Sequence, residues 1–130
     1  MTMEPRVGCG AAIVSGGSIL LIHRLAEPEA GCWGLPGGKV DPGETAAQAV
    51  RREIAEELGV EIALGALLCL VEQMDPHWVS PVYLASIVAG EPRVLEPHKH
   101  GGVCWFALDA LPEPLTQATR VAAEALSARG

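Results

Sequence analysis

The chain has 130 residues, the size of one compact domain, and residues 1–130 read as a single unit able to bury a core without staples. Hydrophobic residues make up 49%, which excludes a disordered chain. The formal charge of −7 argues against a binder of DNA or RNA polymers, which needs a basic face, but leaves room for a small anionic ligand bridged through a divalent cation.

The N-terminus holds Glu4 and Pro5 and lacks the basic-then-apolar pattern of a secretory leader. No apolar stretch approaches the roughly 18 residues that cross a bilayer. A cytoplasmic protein with no membrane contact is therefore expected. Cys9, Cys32, Cys69 and Cys104 form no C-x-x-C pair, so free thiols in a reducing compartment are expected rather than a zinc knuckle. Residues 7–14 are small, apolar and strand-like, Ser15-Gly16-Gly17 is a turn, and "SILLIHR" at 18–24 is a second strand, so the two predict a hairpin. Residues 25–32 form a loop broken by Pro28 and Gly31. "WGLPGGKVDPGE", at 33–44, carries four glycines and two prolines, which excludes helix and predicts a shaped loop that lets backbone approach something closely.

Residues 45–58 are rich in helix formers, with Ala47, Val50, Ile54 and Leu58 spaced as one buried stripe and Gly59 where a left-handed cap belongs. Residues 61–73 and 79–88 predict two further strands, the latter bounded by Pro76 and Gly90, and residues 103–108 a short one carrying Trp105 and Phe106. Residues 115–128 predict a closing helix with Leu115, Val121, Ala122, Ala125 and Leu126 as its buried positions. A mixture of strands and helices in this order packs most naturally as an α/β fold, a sheet with helices on both faces.

The first helix poses the chemical question. At about 100° per residue, Glu57 lies about 40° from Glu53 and Glu56 about 60° to the other side, so three carboxylates converge within one turn. Like charges at that spacing repel, and the C-terminal half of a helix disfavours anions. A solvated acidic face, with Arg51 and Arg52 offsetting part of the repulsion, is the bland explanation. The glycine loop ahead of the helix favours another. Close-set oxygen ligands suit Mg²⁺ or Mn²⁺, and such a loop can add a backbone carbonyl and approach a phosphate. Glu44, at the helix start, also suits the dipole.

Gly38, Glu44, Arg52, Glu53, Ile54, Glu56, Glu57, Gly59 and Val60 match G-x5-E-x7-R-E-U-x-E-E-x-G-U, with U aliphatic, at every defined position. The chain thus resembles the Nudix hydrolase family, and the order of its elements fits that fold along nearly its whole length. The resemblance implies an α/β/α sandwich with a mixed sheet. It implies a hydrolase that uses Mg²⁺ or Mn²⁺ to cleave a diphosphate linked to another moiety, usually a nucleoside. Carried onto these positions, Glu53, Glu56 and Glu57 hold the metal, a backbone carbonyl at Gly37 is a further ligand, and Arg52 orients the carboxylates. Glu53 or Glu56 is the candidate general base, a role that a Glu outside this motif can also serve in the family, and Glu44 and Gly59 are structural.

"VLEPHKH", at 94–100, resembles a segment of the MutT-like nucleotide pyrophosphatases, which makes Glu96 a fourth carboxylate at the metal or a contact to a base edge. His98 and His100 are read as ordinary surface residues, since no third ligand is near them in sequence. Arg24, Gly38 and Lys39 are candidates for contacting substrate phosphate, and Trp78 for stacking on a base, whereas Trp33 is expected to pack beneath the glycine loop. The expected reaction takes a nucleoside triphosphate, an oxidised or noncanonical one among the candidates, to monophosphate and pyrophosphate. Pro76 resembles the ADP-ribose-hydrolysing subgroup and keeps an ADP-ribose or other nucleoside diphosphate-X pyrophosphatase as the alternative. A non-catalytic nucleotide sensor is the alternative of a different class. The partner is a small nucleotide, and a monomer or homodimer is expected.

Overall fold

Alternation along two strands decides the architecture. In β1 (Arg6–Ser15), Cys9, Ala11 and Ile13 point to one side and Ala12 to the other; in β2 (Ser18–Arg24), Leu20 and Ile22 oppose Ile19 and Leu21. Both strands are apolar on both faces, so each must be covered twice. One face packs against α1 (Ala46–Leu58) through Ala49, Val50, Ile54 and Leu58. The other packs against α2 (Gln117–Arg129) through Ala122, with Trp33, Leu35, Phe106 and Leu115 filling the margin. This is an α/β/α sandwich, seen in a computed structural model that describes residues 4–129.

The central sheet has seven strands and is mixed. Its path runs β3 (Trp33–Gly34), β2, β1, β6 (Trp78–Ala89) and β5 (Glu61–Gln73), with β4 (Gly37–Lys39) on β1 and β7 (His100–Ala107) on β2. β1 and β6 run parallel, Gly10 beside Val82 and Ala12 beside Leu84, while β5 and β6 are antiparallel. The expected β1–β2 hairpin exists only at its tip, where Val14 faces Ile19 and Ser15 faces Ser18. Beyond that the strands diverge, β1 toward β6 and β4, β2 toward β7 and β3. The segment 33–44, read as a loop, contains β3 and β4: Gly37 and Gly38 pair with Gly10 and Cys9, which draws this stretch onto the sheet.

α1 begins at a capping box in which the Thr45 hydroxyl accepts the Gln48 N–H at 3.1 Å and the Gln48 side chain accepts the Thr45 N–H at 2.9 Å. It ends at Gly59, whose φ of 70° and ψ of 26° form the left-handed cap. Its buried stripe differs from expectation at two places: Ala49 is fully buried where Ala47 is half-buried, and Glu57 joins Ile54 and Leu58 inside. α2 starts two residues later than predicted, with Leu115 packed ahead of it, and of the five predicted positions Ala122 is the one fully buried. All four cysteines are free. No helix among the described residues is long and apolar enough to cross a membrane.

Candidate active site

Helix geometry sorts the three carboxylates of α1 by depth. Relative to Ile54, which is fully buried, Glu57 lies about 60° around the helix, Glu53 about 100° and Glu56 about 160°. Glu57 is accordingly buried, Glu53 half-buried and Glu56 exposed. The three do not form one equivalent cluster, as a flat reading of their spacing expects.

Arg52 governs the outer two. Its Nε and Nη2 donate to Glu44 at 2.7 and 2.9 Å, a bidentate pair, and its Nη1 donates to Glu53 at 3.0 Å and lies 3.4 Å from Glu56. Nη2 also reaches the Lys39 carbonyl at 3.2 Å and the Asp41 carboxylate at 3.3 Å. One guanidinium thus ties the glycine segment to the helix and neutralises carboxylates that would otherwise repel. Glu44 stands before the Thr45 cap rather than in the first turn. It accepts the Asp41 N–H at 3.0 Å, and the Arg52 hydrogen bonds hold its carboxyl down at about 2. It is a brace for Arg52 more than a complement to the helix dipole.

Glu57 and Glu53 face the glycines. Glu57 Oε1 accepts the Gly37 N–H at 2.9 Å, so Gly37 meets the acidic helix through its amide. A side chain at Gly37 would run into the Cys9 carbonyl, and one at Gly38 would occupy the space of the Glu53 carboxylate. Burial pushes the Glu57 carboxyl up to about 8, against the pull of the Gly37 N–H, with Glu53 and Glu96 adding to the rise. Burial raises Glu53 as well, with Arg52 opposing. The Cys9 thiol beneath them donates to the Gly38 carbonyl at 3.6 Å, and burial raises it to about 11, so it is neutral there.

The segment after β6 supplies the rest. Arg93 and Leu95 donate their N–H groups to the Leu58 and Glu57 carbonyls, both at 3.1 Å, satisfying backbone acceptors that a helix end leaves open. Lys99 and His100 then close a turn onto the Glu96 carbonyl at 2.9 and 3.1 Å, and His100 enters β7 opposite Arg24. This docking brings Glu96 and His100 to Glu57, with one ligand atom from each within 4.8 Å of the others. His98 is exposed, as read from the sequence. His100 corrects that reading: it is buried, and its Nε2 lies 3.6 Å from Glu57 Oε2. The four-residue Glu96–His100 spacing was the only local hint, and it says nothing of Glu57.

His100 Nε2 is within ion-pair range of Glu57, but burial lowers the imidazole's proton affinity, so it does not supply a full positive charge there. A buried carboxylate of raised proton affinity, Glu57, with Glu53 and Glu96 close by and Lys99 offsetting them only in part, is a donor set suited to a divalent cation. Glu57 and Glu96 sit at the centre of this set, Glu53 at its edge against Gly38, and Glu56 outside it on the Arg52 side.

Beside the glycines lies a cavity of about 430 Å³, lined by Arg24, Gly37, Gly38, Lys39 and Trp78 among others, with Pro76 in its wall. Arg24 is not a free cation: its guanidinium donates to the Pro28 carbonyl at 2.9 Å and the Ala26 carbonyl at 3.3 Å. The Arg6 guanidinium lies 5.7 Å from the Trp78 ring. Trp33 packs between His23 and Phe106, with ring centroids 5.0 and 4.8 Å away.

A family model described as NUDIX domain matches residues 4–126. A solved structure of a MutT NUDIX hydrolase from Burkholderia pseudomallei is 60% identical, with a TM-score of 0.88 and coverage of 95% of this chain and 98% of that one. A Mycobacterium tuberculosis protein named "Putative 8-oxo-dGTP diphosphatase 2" is 41% identical over 107 residues, 79% of this chain and 74% of that protein. An ADP-ribose pyrophosphatase from Methanocaldococcus jannaschii is 35% identical over 115 residues, 85% of this chain and 67% of that protein.

Proposed function

The chain belongs to the Nudix hydrolase family, MutT-like enzymes that act on phosphoric anhydrides of nucleotides, and from that premise we propose that it cleaves a nucleoside triphosphate to monophosphate and pyrophosphate. One observation carries the reading. Gly37 and Gly38 belong at once to the acidic site, where they abut Glu57 and Glu53, and to the wall of the 430 Å³ cavity. A phosphate chain lying along these glycines has its anhydride beside the carboxylates and its nucleoside in the cavity. The 8-oxo-dGTP name of the Mycobacterium tuberculosis relative supports an oxidised or noncanonical nucleotide as substrate.

In this reading Glu57 and Glu96 would be the inner ligands of Mg²⁺ or Mn²⁺, with Glu53 at the edge of the set; Glu56, held on the Arg52 side, and the Gly37 carbonyl are the outer candidates. The ion, when bound, polarises phosphate oxygens and lowers the pKa of the attacking water. Arg52 holds Glu53 and Glu56 in place through its Nη1 and touches no substrate. Of the two candidate bases Glu53 is favoured: it lies against Gly38 and the cavity, whereas Glu56 is exposed beyond Arg52. Arg24 and Lys39 bring positive charge to the phosphates, and Trp78 offers a ring face to the base.

The experiment is a nucleotide panel assayed with Mg²⁺ and with Mn²⁺, scored for pyrophosphate against orthophosphate. Pyrophosphate from one or more triphosphates is the expected result; orthophosphate alone contradicts the cleavage position. ADP-ribose belongs in the panel because Pro76 lies in the cavity wall and the Methanocaldococcus jannaschii relative is an ADP-ribose pyrophosphatase. AMP with ribose 5-phosphate as the dominant products moves the assignment to that second reading.

A further inference from the structure

We propose that His100 is a ligand of the divalent cation, donating Nε2 beside Glu57 and Glu96, so that this chain's metal centre is a mixed nitrogen–oxygen site rather than an all-oxygen one. The inference rests on the metal-dependent reading above and adds a ligand to it.

Three features of His100 support the assignment. The first is distance. Nε2 and Glu57 Oε2 are 3.6 Å apart, too far for a hydrogen bond. Two adjacent ligands about 2.1 Å from one octahedral ion stand about 3 Å apart, so 3.6 Å leaves a gap of roughly half an ångström that a small side-chain rotation closes. The second is burial without satisfaction. His100 is 7% exposed, and its Nδ1 is buried with no hydrogen-bond partner. A buried imidazole normally has its nitrogens engaged, since an unmade hydrogen bond is costly. Among the described residues Nδ1 is left without a partner, and Nε2, the nitrogen on the carboxylate side, approaches Glu57 Oε2 to 3.6 Å without hydrogen-bonding it. The third is placement. Two backbone anchors determine where the ring goes: the His100 N–H donates to the Glu96 carbonyl at 3.1 Å, and His100 is in register with Arg24 of β2. The ring is thereby held at the carboxylates on rigid elements.

A neutral imidazole is a softer donor than carboxylate or water, and affinity for such a site rises from Mn²⁺ through Co²⁺. Mg²⁺ prefers oxygen ligands and retains its waters. His100 therefore biases the centre toward Mn²⁺ and away from Mg²⁺ relative to the same carboxylates alone.

The test needs no activity. Mn²⁺ is bound to the wild-type protein labelled with ¹⁴N- or ¹⁵N-histidine and examined by electron spin-echo envelope modulation. The expected result is a directly coordinated nitrogen whose coupling changes with the isotope and disappears in His100→Asn and His100→Ala. Those variants, checked for folding by circular dichroism, should bind Mn²⁺ at least about tenfold more weakly, outer-shell losses alone reaching about 10–100-fold, while Mg²⁺ affinity changes less. Tight Mn²⁺ binding with no histidine nitrogen in the wild type overturns the His100 assignment and leaves the metal-dependent reading intact. Failure of the wild type to bind Mn²⁺ overturns both.

Discussion

The buried Glu57 carboxyl makes metal-free stability depend on pH with a sign opposite to that of an ordinary ion-paired carboxylate. Burial, with Glu53 and Glu96 nearby, raises it from 4.5 to about 8. The folded state therefore holds a proton that the unfolded chain releases, between those two values. Its contribution to stability is complete below pH 4.5, declines as pH rises, and is lost once pH passes about 8. At about 1.4 kcal/mol for each pH unit separating the two values, the full swing is on the order of 3–5 kcal/mol. Glu57→Gln keeps an oxygen for the Gly37 N–H but cannot ionise, so it should erase this slope. The assay is urea unfolding in EDTA from pH 5 to pH 9, comparing the two proteins. The expected result is a free-energy difference that moves in favour of the variant by several kcal/mol across that range. Adding Mn²⁺ should reverse the order, because the ion takes the proton's place; below pH 8 its apparent affinity for the wild type should gain about tenfold per pH unit, while the variant binds weakly. Parallel stability curves for the two proteins, or Mn²⁺ affinity that is flat from pH 6 to pH 8, would refute the reasoning.

Gly38→Ala puts a methyl group where the Glu53 carboxylate sits, and should lower turnover with Mg²⁺ by at least about tenfold while the circular dichroism spectrum is preserved; unchanged turnover would mean that Glu53 has no role at its observed position. Arg52→Lys keeps the charge but loses the bidentate contact to Glu44 and the reach to Glu53, so both thermal midpoint and turnover should fall, and recovery of wild-type values by lysine would count against a positioning role. Trp78→Ala removes a stacking surface worth about 1–3 kcal/mol, which predicts a KM raised roughly 5- to 150-fold with little change in kcat; a loss confined to kcat would place Trp78 elsewhere in the reaction.

The parts of this protein that were legible in its sequence are those with short-range causes. Val50, Ile54 and Leu58 repeat with the helical period, and Gly59 stops the helix where its left-handed conformation is needed, so α1 could be placed almost to the residue. β4 could not, because nothing in "PGGKV" resembles a strand; its reason for being one is Gly8–Gly10 of β1, a partner set by the fold and not by local preference. The partnership of β1 with β6 is hidden for the same reason, and the small β1–β2 turn suggested a longer hairpin than the sheet permits. His100 fails to declare itself because its carboxylate neighbour Glu57 belongs to a helix far upstream, joined to it only when Arg93 and Leu95 cap that helix. Glu57 is the instructive residue. Its angle from Ile54 was enough to put it in the apolar stripe, and a carboxylate in such a stripe breaks the local rule that charge stays out of the core. A fold tolerates that conflict where something else compensates. The neighbours supplied by the chain, an N–H from Gly37, the charge of Lys99 and an imidazole beyond hydrogen-bond reach, compensate only in part. The residual demand for positive charge at that one side chain is the physical reason the site calls for a cation, and it would persist whichever nucleotide occupies the cavity beside it.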